Sequence, residues 1–364
     1  MNVTDAIRRH ARVSPEILAI LRPDGQQMPY RDFDVMVDAI ARRLGASQIA
    51  PSQTVALRIA DPYRALMIGL ALARIGAAAA PNALDPARLD ALVLDPAAAP
   101  IAGVRSIFSD QGWWQSIPDM RVALPVADDG ASTCRIFASD RERGRFVALS
   151  HATIAARLRS DWLGIPGRNA GTTLFCTDMT TCSAWIGVLG VLTEGGTLGI
   201  ATHVDQVLPA ISTRRVDRLV IASRLLQLLV AALPSHGVTL PSLKRIEVDS
   251  PSVDPSLLGA AAARLPSQVY AVLRSVEAGG FAIALPGAPD DRGFSAALLY
   301  PDAEADSASP GASSALRVRT PGLVDRYCDA AATAVGVSAD GWVSLAMTGR
   351  VDDGVLYLER GATG

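Results

Sequence analysis

The chain has 364 residues, 49% apolar and 19% charged, which is long enough for two or three packed units with a large shared core. The net charge of −2 gives no electrostatic basis for binding nucleic acid or an anionic membrane. Arg74 and Glu194 interrupt the two most apolar runs, so neither reaches the ~20 residues of a membrane span. With a polar N-terminus and four cysteines that lack metal-ligand spacing, the chain is expected to be cytoplasmic.

Helix and strand signals alternate over the first 81 residues. Apolar residues recur with a helical period between residues 30 and 44, and the signals predict further helices at 4–11 and 63–75. Short strands are expected at 15–20, 28–30 and 54–59. Residues 92–127 are rich in proline, aspartate and alanine, and we expect them to be irregular. Within them, Trp113-Trp114 is interpreted as a lid over the core, with a binding surface as the alternative.

The same alternation continues through the second half of the chain. Strands are expected at 173–176, 197–201, 218–221, 243–248 and 268–272, with helices between them at 152–162, 184–192, 204–211, 224–233 and 255–264. Strands that alternate with helices in this way predict mostly parallel sheets covered by helices.

The stretch Cys134–Ile154 reads as strand, tight loop, strand and helix start, a geometry in which backbone N–H groups can converge on a phosphate. Counted back from Ser150-His151, it resembles the phosphate loop T-S-G-T-T-G-x-P-K-G-V-x-x-S-H of the adenylate-forming superfamily, which includes acyl-CoA synthetases, luciferases and peptide-synthetase adenylation domains. Val147, Ser150 and His151 match, and Arg145 takes the lysine position. The glycines that bring the backbone close to phosphate are largely replaced.

The loop between the two strands contains three arginines that alternate with two acids. Side chains that alternate along an extended segment point to opposite faces, so Arg141, Arg143 and Arg145 are expected to share one face. Asp140 and Glu142 would occupy the other. We expect an ordered hairpin turn held by local ion pairs, with an arginine face that can bind an anion.

A second match lies at residues 273–280, which read LRSVEAGG and resemble the family's Y-G-S-T-E-A-G-G. Ser275 and Glu277–Gly280 match. Leu273 stands where the family has a tyrosine that stacks on adenine, and Val276 replaces a threonine that touches phosphate. By resemblance, Glu277 is the carboxylate that helps to hold Mg²⁺, a cation that requires oxygen ligands.

Other stretches match the scaffold of the family but not its chemistry. Gly76–Pro81, residues 315–320 (ALRVRT) and Asp340–Trp342 follow family patterns. Asp249-Ser250-Pro251 occupies the adenine turn without its glycines. Met347 aligns with the aspartate that binds the ribose hydroxyls, and a thioether cannot accept two strong hydrogen bonds. The run GRVDD at residues 349–353 fits both a barrel segment and the family hinge.

The resemblance covers essentially the whole chain and implies its fold. We expect two interleaved α/β subdomains in αβαβα layers over residues 1–292, followed by a small distorted β-barrel over residues 293–364. The swinging C-terminal domain of the family, which carries its catalytic lysine, is expected to be absent.

The resemblance also assigns roles to individual residues. The catalytic positions are Glu277, which is also the implied Mg²⁺ ligand, and Arg145. The cofactor-binding positions are Ser139, Arg141, Arg143, Gly144, Asp249, Ser250, Leu273, Ser275 and Met347. The substrate-pocket positions are Thr181, Trp185, Ala278, Gly279 and Gly280, with Thr181 at the place of a family histidine or aromatic residue.

The resemblance implies ATP, AMP and Mg²⁺ as cofactors. Several of the residues that contact the nucleotide in the family are replaced here, which predicts weak or absent ATP binding. The primary hypothesis is a truncated, degenerate synthetase-like protein, in effect a pseudoenzyme, that binds a carboxylic acid, an acyl group or acyl-CoA. One alternative is an active acid–thiol or acyl-adenylate-forming half-ligase whose C-terminal domain comes from another chain. The other is a non-catalytic partner of a synthetase or of a carrier protein.

Overall fold

A computed structural model of the chain describes residues 1–116, 130–140, 144–233, 240–249, 254–265, 267–287, 294–307, 314–328, 337–352 and 354–359. The chain divides into two compact units, and each is built from segments that are distant in sequence. Unit 1 consists of Met1–Ile20, Gln27–Ala155 and Val324–Ala330. Unit 2 consists of Leu21–Gln26, Ala156–Leu323 and Ala331–Gly364. Among the described residues, no helix combines the length and the apolar character needed to cross a membrane.

The helices are numbered in chain order. They are α1 (Asp5–Val13), α2 (Tyr30–Ala46), α3 (Pro62–Ile75), α4 (Gln111–Gln115), α5 (His151–Gly164), α6 (Cys182–Glu194), α7 (Val207–Arg214), α8 (Ser223–Ala232) and α9 (Pro255–Arg264). Local sequence sets their ends, as α3 illustrates. The Asp61 side chain accepts hydrogen bonds from the first backbone N–H groups, and Gly76 ends the helix in the left-handed conformation at φ 85°.

The strands are also numbered in chain order. They are β1 (Leu18–Leu21), β2 (Gln27–Pro29), β3 (Thr54–Arg58), β4 (Ala78–Ala80), β5 (Ala91–Leu94), β6 (Arg105–Phe108), β7 (Thr133–Ala138), β8 (Phe146–Ser150), β9 (Thr172–Cys176), β10 (Thr197–Ile200), β11 (Arg218–Ala222), β12 (Arg245–Asp249), β13 (Gln268–Ser275), β14 (Gly279–Ala284), β15 (Phe294–Leu299), β16 (Glu304–Ser307), β17 (Ser314–Arg319), β18 (Arg326–Tyr327), β19 (Val343–Asp352) and β20 (Val355–Glu359).

The sheet of unit 1 has the strand order β18-β8-β7-β4-β3-β5-β6. Strands β7, β4, β3, β5 and β6 run parallel to their neighbours, whereas β7 and β8 form an antiparallel hairpin. Ala56, Leu92, Leu94, Ile136 and Ala148 form a buried apolar cluster on this sheet. Burial on both faces explains the near-continuous apolar runs in β4 and β5.

The sheet of unit 2 joins a parallel and an antiparallel half. Its strands lie in the order β16-β17-β19-β20-β15-β14-β13-β12-β11-β9-β10. Pairing is parallel from β10 to β13 and antiparallel from β13 onward. Because side chains alternate across a strand, Ile246 and Val248 enter the large apolar cluster of this unit, whereas Glu247 faces the other side.

The structure confirms the predicted α/β class and corrects one region. Residues 92–127 are not uniformly irregular, because β5, β6 and α4 lie at residues 91–94, 105–108 and 111–115. These elements are too short for periodicity to reveal them. The strands expected to form the β-barrel continue the sheet antiparallel to β14, and barrel closure stays a prediction. Residues 288–293 lie outside the described ranges, so the boundary placed between residues 292 and 293 also stays a prediction.

Candidate functional site

A carboxylate with two hydroxyl partners lies at the carboxyl ends of the parallel strands of unit 2. Asp249 ends β12, and its Oδ2 atom accepts hydrogen bonds from Thr177 Oγ1 at 3.1 Å and Ser183 Oγ at 2.8 Å. Thr177 follows β9, and Ser183 lies in the first turn of α6. Thr181 caps that helix, since its Oγ1 atom accepts from the N–H of Ala184 at 3.3 Å. The strand ends therefore present a partly buried anionic and hydroxyl-rich rim, at the edge where α/β sheets bind small molecules.

The turn between β13 and β14 carries Glu277. The Oγ atom of Ser275 accepts a hydrogen bond from the N–H of Ala278 at 2.9 Å, which closes the turn. Gly279 adopts φ 79°, a left-handed conformation that favours glycine. The Oγ1 atom of Thr320 donates to the carbonyl of Ala278 at 2.6 Å. This turn gathers five predicted site residues into one segment, in which Ser275 is partly buried and Glu277–Gly280 are buried.

A buried arginine on α5 anchors the same turn. Arg157 is 1% exposed and donates from Nη2 to the carbonyls of Val276 at 2.8 Å and Glu277 at 3.0 Å. Its Nε atom donates to the carbonyl of Gly322 at 2.7 Å, and Nη1 donates to Cys182 Sγ at 3.3 Å. Within the described part of the chain, no carboxylate oxygen lies within 4 Å of this guanidinium.

Sequence reasoning missed Arg157, although a signal was present. Ile154, Arg157 and Asp161 recur at helical spacing and lie on one face of α5, and all three are buried. An arginine on the apolar face of an expected helix indicates a buried polar contact rather than a solvated charge.

A network of buried charges fills the interior of unit 2. Arg218 and Arg274 both contact Glu247, at 2.7 and 2.9 Å, and Arg274 also lies 3.3 Å from Asp161. Burial alone would raise the pKa of Glu247, but the two guanidinium groups outweigh it and lower the pKa to about 2. The network therefore holds Glu247 as a carboxylate well below neutral pH.

The network extends through Arg168, which contacts Glu194 at 2.6 Å and Asp161 at 3.8 Å. For Glu194 the balance is opposite, because burial raises its pKa more than Arg168 lowers it. Three arginines and three acids thus share one interior region, and their mutual attraction offsets part of the cost of removing them from water.

Leu273 and Met347, both predicted at nucleotide positions, lie in apolar surroundings. Leu273 is 0% exposed and belongs to the large apolar cluster, and the partly buried Met347 packs against that cluster. Neither side chain offers a free aromatic face or an acceptor oxygen.

The predicted phosphate loop belongs to unit 1. Strands β7 and β8 form the expected hairpin, and the N–H of Ser139 donates to the carbonyl of Arg145 at 2.9 Å across its base. Gly144 adopts φ 81°. Arg141 and Arg143 lie outside the described residues, as does Ser250 of the predicted adenine turn. Ser139, Gly144 and Arg145 thus come together at one hairpin, and their cofactor role stays a prediction.

Ser150 and His151 are buried, and the hydrogen bonds described for them hold other segments of the chain in place. The Asp325 carboxylate accepts from the N–H of Ser150 at 2.6 Å and from its hydroxyl at 2.9 Å. The Nδ1 atom of His151 accepts from the N–H of Val3 at 3.2 Å. These two residues tie the N-terminal segment and β18 to the start of α5.

The substrate-pocket positions differ in exposure. Trp185 is 2% exposed within α6, and Ala278 is 1% exposed, whereas Thr181 lies at the surface. Glu277 is 0% exposed, and Mg²⁺ normally retains several waters. In this conformation Glu277 therefore does not fit a magnesium site, and its assignment as a metal ligand stays a prediction.

No protein-family model and no curated protein sequence matches this chain. Solved structures do. The N-terminal domain of FACL13 from Mycobacterium tuberculosis superposes with a TM-score of 0.85 at 18% identity, over 99% of this chain and 100% of that one. O-succinylbenzoate coenzyme A synthetase (MenE) from Bacillus subtilis gives 0.84 at 14% identity, over 98% of this chain and 78% of that one.

A fused adenylation–PCP protein from Klebsiella oxytoca, NpsA-ThdA, gives a TM-score of 0.83 at 18% identity, over 99% of this chain and 72% of that one. At these identities the likeness establishes the fold. The chain has the fold of the N-terminal domains of adenylate-forming enzymes, which confirms the resemblance at the level of structure. The Bacillus subtilis synthetase has been solved in complex with AMP.

Proposed function

We propose that this protein binds a carboxylic acid, an acyl group or acyl-CoA at the carboxyl edge of the unit 2 sheet, and that it adenylates poorly or not at all. The observation that carries the proposal is the burial of Leu273. A residue that stacks on a nucleotide base needs an accessible aromatic face. Leu273 instead has 0% exposure and fills the apolar core.

The surroundings of Met347 support the same conclusion. A ribose requires a strong acceptor for its two hydroxyls, whereas Met347 offers a thioether that packs against apolar side chains. The cost of leaving two ribose hydroxyls unpaired in a closed site is about 1–3 kcal/mol for each group. Nucleotide affinity falls accordingly.

Polar groups remain available for a different ligand. Asp249 and the hydroxyls of Thr177 and Ser183 form a rim that can bind a ligand carrying hydrogen-bond donors. The turn at Glu277 is closed by Ser275 and held by Arg157, so it presents a fixed wall rather than a mobile loop. A preformed edge of this kind suits binding without nucleotide-driven closure.

The test is calorimetric titration of the purified protein with ATP-Mg²⁺, AMP, CoA, acyl-CoA and a panel of carboxylic acids. We expect an acid or acyl-CoA to bind and ATP-Mg²⁺ not to bind in the micromolar range. Replacing Asp249 by Ala should weaken binding of a ligand that brings its own hydrogen-bond donors, such as the amide and hydroxyl groups of an acyl-CoA, while the exposed control Asp178→Ala should not. A simple carboxylate, which the Asp249 charge repels, should not lose affinity. ATP-Mg²⁺ affinity in the low micromolar range, near −8 kcal/mol, would refute the proposal. Acid-dependent release of pyrophosphate would also refute it.

Glu277 favours one alternative, an active half-ligase that obtains its C-terminal domain from another chain. An acid retained in a turn that also keeps both following glycines is what an active relative would need. Pyrophosphate release should then appear only when the separate C-terminal domain of a synthetase is added, and Glu277→Gln should abolish it. If Glu277→Gln leaves that activity intact, the carboxylate has no role in it.

A further inference from the structure

A surface cleft in unit 1 is lined by none of the catalytic, cofactor-binding or substrate-pocket residues assigned above. It encloses about 470 Å³, within the range of small-molecule sites. Its described walls include Arg64, which follows β3, Pro96, which follows β5, and Ser109, which follows β6. The three strands run parallel, so the cleft lies at their carboxyl ends, where α/β sheets place ligands.

Backbone groups hold the one acid and the one serine among the described residues that line the cleft. The Asp110 carboxylate accepts from the N–H of Trp113 at 2.7 Å. The Ser109 hydroxyl donates to the carbonyl of Leu94 at 3.1 Å. These side chains fix the loops, and the ligand-facing chemistry lies elsewhere in the cleft.

Arg64 supplies a positive charge to the cleft. Its guanidinium lies 4.9 Å from the ring centre of Trp114, a cation–π contact. In the part of the chain that the structure describes, no carboxylate lies within 4 Å of this guanidinium. The charge is therefore available to an anion.

Trp114 and its helix supply hydrogen-bond donors. The indole Nε1 atom of Trp114 is buried and has no hydrogen-bond partner among the described residues. A buried N–H without an acceptor is costly, so a ligand oxygen would be favoured there once a small shift of the side chain opens this closed atom to the cleft. Gln111 and Gln115 lie one turn apart on α4, both line the cleft, and both residues are exposed.

We propose that this cleft, the Trp114 cleft, binds a small planar aromatic carboxylate. The guanidinium and the indole N–H suit the carboxylate oxygens. The flat guanidinium–indole pair and Pro96 suit an aromatic ring, because guanidinium and indole both stack on flat groups. The two neighbouring tryptophans, Trp113 and Trp114, therefore have different roles. Trp113 is 5% exposed and belongs to the core, while Trp114 lines the cleft.

The test uses the indole N–H signals of the five tryptophans in ¹H–¹⁵N spectra of the full chain. Salicylate is the probe. Cyclohexanecarboxylate keeps the charge without the flat ring, and salicylamide keeps the ring without the charge. Trp114→Phe assigns the Trp114 signal, and Trp162→Phe is the control because Trp162 is 52% exposed in unit 2.

We expect salicylate to shift the Trp114 signal, and both comparison compounds to bind about tenfold more weakly. Arg64→Ala should weaken salicylate binding at least tenfold, and Arg64→Lys should retain part of the affinity. The exposed control Arg159→Ala should bind salicylate as wild type does. Gln115→Ala offers a second test at an exposed side chain should Arg64→Ala fold poorly, and it should also weaken binding.

Equal affinity for salicylate and salicylamide would overturn the proposal, as would a Trp114 signal that AMP shifts and salicylate does not. Unchanged affinity in both Arg64→Ala and Gln115→Ala would overturn it too. The acid-binding edge of unit 2 is tested separately, because Asp249→Ala should leave the salicylate shift of Trp114 unchanged.

Discussion

Arg157 donates a hydrogen bond from Nη1 to the Sγ atom of Cys182 at 3.3 Å, while its other donors bind the carbonyls of Val276, Glu277 and Gly322. One side chain therefore joins α5, the first residue of α6, the turn that carries Glu277 and the segment after β17. The shape of the candidate site in unit 2 depends on this arginine.

Replacing Arg157 by Ala should destabilise the protein by about 3 kcal/mol, because three buried carbonyls lose their donors and a cavity forms. The measurement is urea unfolding of the intact chain. Arg159→Ala is the matched control, since Arg159 is exposed on the same helix and should change the free energy of unfolding by under about 0.5 kcal/mol. Equal effects of the two substitutions would contradict the anchoring role.

Gly322 makes room for Arg157, because a Cβ atom at residue 322 would overlap the Cγ atom of the arginine. Gly322→Ala should therefore cost about 2 kcal/mol of stability. Gly259→Ala is the opposite control, since that site on α9 has no neighbour within 4 Å, and alanine there should add about 1 kcal/mol.

The two residues can be tested together. In an Arg157→Ala background, the cost of Gly322→Ala should fall sharply, since the overlapping side chain is gone. Additive effects in this double-mutant cycle would mean that some other contact limits residue 322.

Stability should fall in acid because of Glu247. Its folded pKa of about 2 lies below the usual value of 4.5, so its contribution is present above pH 4.5 and is lost as pH falls toward 2. The loss is of the order of 3 kcal/mol. The raised pKa of Glu194 acts in the opposite sense and offsets part of it.

The comparison is between wild type and Glu247→Gln, measured by urea unfolding at pH 6 and pH 3. The variant should be less stable at pH 6, because Arg218 and Arg274 lose their buried partner. The difference in the free energy of unfolding between the two proteins should be smaller at pH 3. If this difference is the same at both pH values, the pKa of Glu247 is the same in the folded and unfolded states.

The arginines of the β7–β8 loop give a further test. Replacing Arg141, Arg143 and Arg145 together by Ser should abolish the binding of sulfate or of the CoA phosphates, with little change in melting temperature. Exposed ion pairs contribute only about 0.2–1 kcal/mol each, so the fold should tolerate their loss. Retained anion affinity in the triple variant would show that the loop is only a connection.

Sequence reasoning found the fold through repeated strand–helix alternation and through motifs that build scaffold turns. It located the Ser275–Gly280 turn through its resemblance to the family motif, and the structure shows why one glycine is there, since Gly279 adopts φ 79°. It could not find the Arg157 contacts or the Asp249 rim, since these join residues up to 165 positions apart. Elements as short as β6 and α4 carry too few residues for periodicity to detect.

The buried charges of unit 2 also bear on how the protein folds. Arg218 and Glu247 are 29 positions apart, whereas Arg274 and Asp161 are 113 apart, so the whole network closes only after distant segments have met. Early compact states on the folding pathway must keep these charged groups hydrated. The groups therefore lose their water late in folding. We therefore expect slow refolding of unit 2, limited by long-range assembly rather than by helix formation. Loss of water from around the Arg274 side chain should coincide with the step at which unit 2 reaches its native topology.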